Sequence, residues 1–424
     1  MARLPLLPTN LRVAAGERRP ARPRSRTRPP ARSCTTLGAL STGRTRRRRP
    51  VRPARRRRWF AAPRAAPVVA PPRDTTHNAT DLPEAAPAVV ASDRGPRADA
   101  PRPTPRRPGG NAIATHAIEP ERRTLHGHFS RDLPPALTID PGDTVRFRTL
   151  DAGWHMEGPD ATGRPGARFA PLDPELDAGH ALCGPVFVRG AAPGTTLAVE
   201  IGELRVGTWG WTVAGGRDLG GYDRIGAGAV LPQARLRWTL DPDRLVGRDQ
   251  HGHELALRPF LGVIGTPPDA PGRHPTAPPR PTGGNIDCKE LVAGSTLYLP
   301  VTVPGALVSA GDGHARQGDG EVGGTAIECP MARADLTFRL RPDLRLTTPR
   351  AETPAGWLTF GFAEDLDEAT AIALGAMLDL LRERHGLERS EALALASLVV
   401  DLRVTQIVNG VRGVHAVLPH GALR

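Results

Sequence analysis

The chain has 424 residues, with 57 Lys plus Arg against 44 Asp plus Glu and a formal net charge of +13. That charge belongs to the front: residues 1 to 110 hold 26 Arg and 6 acidic residues, leaving 31 basic and 38 acidic groups for a mildly acidic remainder. No apolar run approaches the roughly 18 residues that span a bilayer, and the 4 cysteines form no CxxC pair and no disulfide framework, so a cytoplasmic protein without a membrane partner is expected.

Residues 1–111 read as a disordered Arg/Pro-rich extension. They contain RTRRRRP and ARRRRWF, and 19 of the 46 prolines fall in the first 110 positions, a composition that cannot bury enough apolar surface to offset chain entropy. A polycation of this kind could meet phosphates. Arg57, Arg58, Trp59 and Phe60 imitate a twin-arginine signal, but the following AAPRAAPVVAPP is broken by proline and lacks an apolar core. Arg, Pro, Ala and Gly abound throughout and Lys289 is the only lysine, as a very GC-rich coding sequence would produce. The extension is therefore expected to be unselected upstream sequence, and nucleic acid is not an expected partner except through it.

Residues 112–424 carry the folded body, and its period is mostly two. Leu137 and Ile139, then Pro141-Gly142-Asp143, then Val145 and Phe147 predict two strands around a tight turn. Leu197, Val199 and Ile201 predict another, as do Leu297, Leu299, Val301 and Val303, and Leu336, Phe338 and Leu340. Strands at this spacing between Pro and Gly turns predict a mainly β fold with α+β elements, a sandwich-like or barrel-like body. The period changes near the C-terminus. Leu374, Met377, Leu378 and Leu381, then Leu395, Leu398, Val399 and Leu402, follow helical spacing, with Gly386 placed to end the first helix and Ser390 to cap the second. A C-terminal helical hairpin closing the β body is expected.

No Walker A loop, GxSxG elbow or HExxH motif is present. The pairs His126/His128 and His251/His253 would share a strand face and suit a metal, although such spacing more often marks two surface polar residues. The densest polar stretch is Gly283 to Pro330, which holds Asp287, Cys288, Lys289, Glu290, Asp312, His314, Asp319, Glu321 and Glu328 among glycines. Gly311 to Glu321 reads as a flexible loop whose His and carboxylates suit a metal with mixed nitrogen and oxygen ligands. Cys288, Lys289 and Glu290 are the residue types of nitrilase catalysis, but consecutive residues cannot converge on one carbonyl, and Cys288 is expected to be a small buried residue. Lys289 offers a compact ammonium that could donate to a substrate carbonyl.

Four blocks resemble the acetamidase/formamidase family: LPPALTIDPGDTVRFRTLDAGW at 133–154, GHALCGPVFVRGAAPGTTLAVEI at 179–201, RPFLGVIG at 258–265, and GGNIDCKELVAGSTLYLPV with SAGDGHARQGDGEVGGTAIECPM in the polar stretch. ASLVVDLRVTQIVNG fits the family's ending, so the resemblance covers nearly all of 112–420. Cys183 stands where relatives often have Thr, and the Asp151 to Asp177 segment is idiosyncratic.

The resemblance implies a β-sandwich with added α/β elements, homo-oligomeric assembly, a divalent metal such as zinc, and hydrolysis of formamide or acetamide to ammonia and a carboxylate. It places Asn285, Asp287, Asp312, His314, Gln317, Asp319, Glu321 and Glu328 in the family motif, and His126 and His180 in weaker blocks. On that basis Asp287, His314, Asp312, His126 and His180 are the expected metal ligands, and Asn285 and Gln317 the substrate-binding residues. Glu328 is the expected general base, with Lys289, Asp319 and Glu321 also catalytic. A narrow substrate pocket is expected. The contrasting expectation is a non-catalytic binding protein on the same scaffold, docking nucleic acid through its basic tail.

Overall fold

A computed structural model describes residues 113–216, 222–226 and 231–424. The extension assigned to residues 1–111 lies outside the described residues.

Two large sheets share one apolar core. The first has nine strands in the order Thr115–Ile118, Thr144–Phe147, Met331–Arg341, Thr196–Val206, Thr296–Pro300, Arg350–Thr353, Gly356–Ala363, Val411–Pro419 and Asp401–Asn409. The second has eleven, among them Leu182–Val188, Trp209–Ala214, Phe260–Gly265, Gly283–Asn285, Val308–His314 and Glu328–Cys329. Val145, Phe147, Leu197, Val199, Ile201, Leu297, Leu299, Leu336 and Phe338 from the first sheet pack in one cluster with Cys183, Val186, Leu261, Ile264, Val308 and Ala310 from the second. This is the sandwich that the alternating apolar residues call for, since every second side chain of a strand points to one face.

The Pro141-Gly142-Asp143 turn joins two strands of different sheets. Leu137–Ile139 pairs in parallel with Leu182–Val188 in the eleven-stranded sheet, whereas Thr144–Phe147 pairs with Thr115–Ile118 and Met331–Arg341 in the nine-stranded one. Gly142, at φ +100°, supplies the left-handed backbone that this change of sheet requires. Val301 and Val303 lie beyond the end of their strand but stay buried.

Two helices, α1 (Leu366–His385) and α2 (Arg389–Val399), pack against Val414, Ala416 and Leu418, with Met377, Leu378 and Leu381 on the buried side of α1. Gly361 lets α1 lie directly on its strand, because a Cβ there would run into the Ala369 carbonyl. The Asp365 side chain accepts from the backbone of Asp367 and Glu368 to cap α1, and Gly386 ends it at φ 66° as expected.

The second helix differs from the expectation. Its N-cap is Glu388, so Ser390 lies inside the helix, and Glu391 accepts from the Glu388 backbone N–H at 3.0 Å. Its fully buried residues are Ala392 and Ala396, while Leu398 is 80% exposed. Leu402 belongs to the strand Asp401–Asn409, so the helical pair is followed by a β-hairpin closed on Val411–Pro419. Val399, Val400, Val404 and Thr405 are β-branched, and that run favours extended backbone over a further helical turn. Among the described residues, no helix is long and apolar enough to cross a membrane.

Candidate active site

Four neighbouring strands of the eleven-stranded sheet bring the polar residues together. Glu328–Cys329, Val308–His314, Phe260–Gly265 and Gly283–Asn285 lie side by side, with His314 opposite both Glu328 and Phe260, and Val263 opposite both Asn285 and Gly311. The two halves of the Gly283 to Pro330 stretch are thus joined through a strand from outside it, and Gly262 lies between them. A Cβ on Gly262 would stand 2.5 Å from Asp312 Oδ2, 2.8 Å from His314 Cε1 and 2.9 Å from Asp287 Oδ1. The missing side chain makes the room for the cluster.

Backbone geometry aims the carboxylates. Asp287, Asp312 and Glu321 adopt φ of 54°, 58° and 45°, the left-handed region that is unfavourable for residues with a Cβ, though least so for Asp. Three such residues in one cluster mark a place where local strain is held by the surrounding fold. Gly311 to His314, expected in a loop, belongs to a strand, and the loop proper begins at Ala315. That loop is pinned to the C-terminal hairpin: Gly320 N donates to Thr405 O at 3.0 Å, and Ile407 N to Gly320 O at 3.2 Å.

Asp287, Asp312, His314, Glu321 and Glu328 are all buried. Candidate ligand atoms of Asp287, Asp312 and His314 lie within 4.8 Å of one another, and so do those of His314, Glu321 and Glu328. His314 Nε2 is 3.3 Å from Asp312 Oδ1 and 3.2 Å from Glu328 Oε2. Burial alone would lower the His314 pKa, but the charges of Glu328 and Asp312 outweigh it and hold the imidazole well above its usual value. Burial pushes Asp287 well above the usual carboxylate range, and the charge of Glu321 adds to the push. Burial also raises Glu328, against the pull of His314, and carries Glu321 to about 8. Asp312 goes the other way: burial would raise it, but His314 and His180 together hold it below the usual range.

This donor set fits a divalent cation. Asp287 Oδ1, His314 Nδ1 and Glu321 Oε2 are enclosed without a hydrogen-bond partner, a costly condition unless something else satisfies them, and Asp312 Oδ1 and Glu328 Oε2 have only the ion-pair contacts to His314 Nε2. Four carboxylates around one imidazole cannot all ionise without further positive charge. The raised pKa of His314 reports the same negative field that a cation would meet.

The other residues singled out in the sequence stand at varying distance from this cluster. Asn285 Nδ2 donates to Ala277 O at 3.0 Å and Gln317 Nε2 to Asp287 O at 2.8 Å, while Asn285 Oδ1 and Gln317 Oε1 are buried without a partner. His180 Nδ1 contacts Thr276 Oγ1 at 2.8 Å, and its ring is near enough to act on Asp312. His126 is buried with both ring nitrogens engaged, by His128 O at 2.7 Å and Ser309 Oγ at 2.9 Å. Lys289 Nζ pairs with Asp319 Oδ2 at 2.8 Å, both partly exposed. Cys288 is buried, and Glu290 lies between Arg258 and Arg403 at 2.5 and 3.0 Å, so these three consecutive residues do point apart. His253 holds Asp249 at 2.8 Å, and His251 and His253 are both exposed.

Two contributors escaped the sequence reading. Gly262 is one; Asn409, whose Nδ2 donates to Asp287 Oδ2 at 2.8 Å, is the other. Both lie inside segments that resemble the family, but nothing in their residue type marks them. A cavity of about 550 Å³ has Trp154, Arg168, His180 and Thr276 among its walls; it touches the cluster's surroundings through His180 and through Ala277, whose carbonyl accepts the Asn285 side chain.

Known proteins resemble the chain over most of residues 114–421. The family model described as Acetamidase/Formamidase family matches residues 114–274 and 270–421. A provisionally named formamidase of Schizosaccharomyces pombe is 28% identical over 58% of this chain and 74% of its own length. The formamidase of Methylophilus methylotrophus is 28% identical over 47% of this chain and 59% of its own length. The crystal structure of an acetamidase from Bacillus halodurans, 28% identical, superposes with a TM-score of 0.61 over 72% of this chain and 97% of that one. The match over most of residues 114–421 and the shared fold lead to one assignment: the chain belongs to the acetamidase/formamidase family.

Proposed function

We propose that the chain hydrolyses a short aliphatic amide, formamide or acetamide, to ammonia and the carboxylate, with a divalent cation, zinc, held by Asp287, Asp312 and His314. The observation that carries this reading is the enclosed set of unpartnered nitrogen and oxygen atoms around Gly262, in a chain of this family. Relatives named for each of the two substrates support the substrate class. Mixed imidazole and carboxylate donors suit zinc.

Amide hydrolysis needs water added to an unreactive carbonyl and a proton delivered to a poor leaving nitrogen. A divalent cation in the cluster supplies carbonyl polarisation and a lowered water pKa. Glu328, fixed through Oε1 by the Ala326 backbone N–H at 2.9 Å, takes the proton of the attacking water through Oε2 and returns it to nitrogen. The water oxygen joins the acyl carbon, the C–N bond breaks, and nitrogen leaves as ammonia. Burial raises the Glu321 pKa to about 8 in the metal-free chain; a cation at the cluster would pull it down again, and Glu321 then stands beside Glu328 as a second carboxylate able to carry the proton. Asn285 Oδ1 and Gln317 Oε1 are free acceptors for the substrate N–H groups. Lys289 and Asp319 neutralise each other and leave the chemistry to the cluster. The same reading takes the protein as a cytoplasmic homo-oligomer, an expectation that rests on the family resemblance; a solution mass equal to one chain would refute the oligomer.

Ammonia release from formamide, acetamide and propionamide, with and without a chelator, tests the reading. Turnover that the chelator abolishes and zinc restores is expected. Turnover that survives complete metal removal overturns the metal, and no turnover of any of the three amides overturns the amidase.

A further inference from the structure

The cavity beside the cluster is too large for formamide or acetamide alone. At about 550 Å³ it falls within the range of roughly 300–1,000 Å³ typical of pockets for far larger ligands. Two walls connect it to the chemistry. His180 lines it, and the next residue, Ala181, is packed so tightly on the Asp312 strand that a Cβ on Gly311 would stand 2.5 Å from the Ala181 carbonyl oxygen. Ala277, also in the lining, accepts the Asn285 side-chain N–H at 3.0 Å.

The lining has a charge preference. Its two carboxylates are each held by arginine: Asp177 accepts both Nη atoms of Arg122 at 2.6 and 2.9 Å, and Glu175 accepts Arg273 at 2.9 Å. Arg168 uses Nε on the Gly153 carbonyl at 2.8 Å, and among the described residues its guanidinium has no carboxylate partner. Trp154, 1% exposed, gives the cavity an aromatic wall, and the Gly179 carbonyl fixes its Nε1 at 2.7 Å. A cleft with its acids neutralised and one guanidinium open at its rim favours an anion.

We propose that this cavity receives the acyl part of a substrate longer than formamide or acetamide, and that among short aliphatic amides the chain prefers one bearing a carboxylate on its acyl chain, a monoamide of a short dicarboxylic acid. The inference rests on the amide-hydrolase reading above and extends it. The carboxylate meets Arg168 while the amide end reaches the cluster between His180 and Asn285. Water adds to the amide carbon, the C–N bond breaks, and the products are ammonia and the dicarboxylate, with no other reactant consumed.

The test compares kcat/KM of the metal-loaded protein for succinamate, the neutral chain butyramide, acetamide and formamide. Succinamate is expected to exceed acetamide by at least about tenfold, the scale of one hydrogen bond to a charged group. Arg168→Gln should cut the succinamate to acetamide ratio by about the same factor, and Ala178→Phe, which narrows an exposed wall, should cut it too. Formamide or acetamide turned over better than both longer amides would overturn the acyl cavity. Butyramide turned over as well as succinamate, or a ratio unmoved by Arg168→Gln, would overturn the anionic class. Loss of all four activities would instead strike the amidase reading itself.

Discussion

Gly262 and Asp312 face each other across neighbouring strands so closely that one methyl group on Gly262 would stand 2.5 Å from Asp312 Oδ2. The glycine carries no positive φ, so its backbone accepts alanine and the whole cost of Gly262→Ala falls on the cluster. Forcing a methyl group into such a site costs about 1–3 kcal/mol when the surroundings cannot shift. Gly262→Ala is therefore expected to lower divalent-metal affinity and kcat by about tenfold to a hundredfold, measured by metal titration and ammonia release. Its far-ultraviolet circular dichroism should match the parent. Unchanged metal affinity would show that the room beside Asp312 has another use.

Asn409 reaches Asp287 from the far end of the C-terminal hairpin, donating Nδ2 to Oδ2 at 2.8 Å. The bond occupies one carboxylate oxygen and leaves Oδ1 free, which fixes the direction in which Asp287 can serve as a ligand. Outer partners of this kind typically contribute about tenfold to a hundredfold in metal affinity or activity. Asn409→Leu should lose that much metal affinity, whereas Asn409→Gln should recover part of it. Equal affinity in the two variants would mean that the contact does not orient Asp287.

Two buried histidines should each cost the fold stability as pH falls below their ordinary pKa. Burial lowers the pKa of His126 and of His415 from 6.5 to about 4, so each is neutral when folded and more basic when unfolded. The folded pKa lies below the unfolded one, so the contribution is complete above pH 6.5 and is lost as pH falls towards about 4. At about 1.4 kcal/mol per pKa unit, each site is worth on the order of 3 kcal/mol across that window. The raised carboxyls of Glu321, Asp287 and Glu328 gain stability over the same range, so the histidine contribution is read as a difference: the urea midpoint of His126→Gln should gain on the parent's as pH falls from about 7 to about 4. A gap between the two midpoints that does not change with pH would remove His126 as a cause.

The sheets were legible where one face is buried and alternation is strict. Leu336 and Phe338 are fully buried on one strand, as their spacing predicts. Asp287, Asp312, His314, Glu321 and Glu328 were visible because ionisable residues crowd a glycine-rich stretch. Their companions were not, since Gly262 and Asn409 act through strand register and a contact spanning 122 residues, neither of which local composition encodes. The apolar spacing of Leu395, Leu398, Val399 and Leu402 suits a helix, but the chain turns into a strand at Asp401 and leaves Leu398 outside. There local periodicity yields to pairing with Val411–Pro419.

Glu328 offers the sharpest separation of chemistry from folding. Its Oε1 accepts the Ala326 backbone N–H at 2.9 Å, and its Oε2 lies 3.2 Å from His314 Nε2 without a hydrogen bond. Glu328→Gln keeps the shape and can keep the Ala326 contact through its amide oxygen, but it cannot take a proton from water. General-base removal typically costs about a hundredfold to ten-thousandfold in rate. The variant should lose kcat on that scale with KM little changed, and its melting temperature should stay close to the parent's because the lost attraction to His314 is offset by removing a buried charge and its repulsion from Asp312. A kcat within about tenfold of the parent would transfer the base role to another member of the cluster, and Glu321→Gln, measured in the same assay, would show whether the second raised carboxyl carries it.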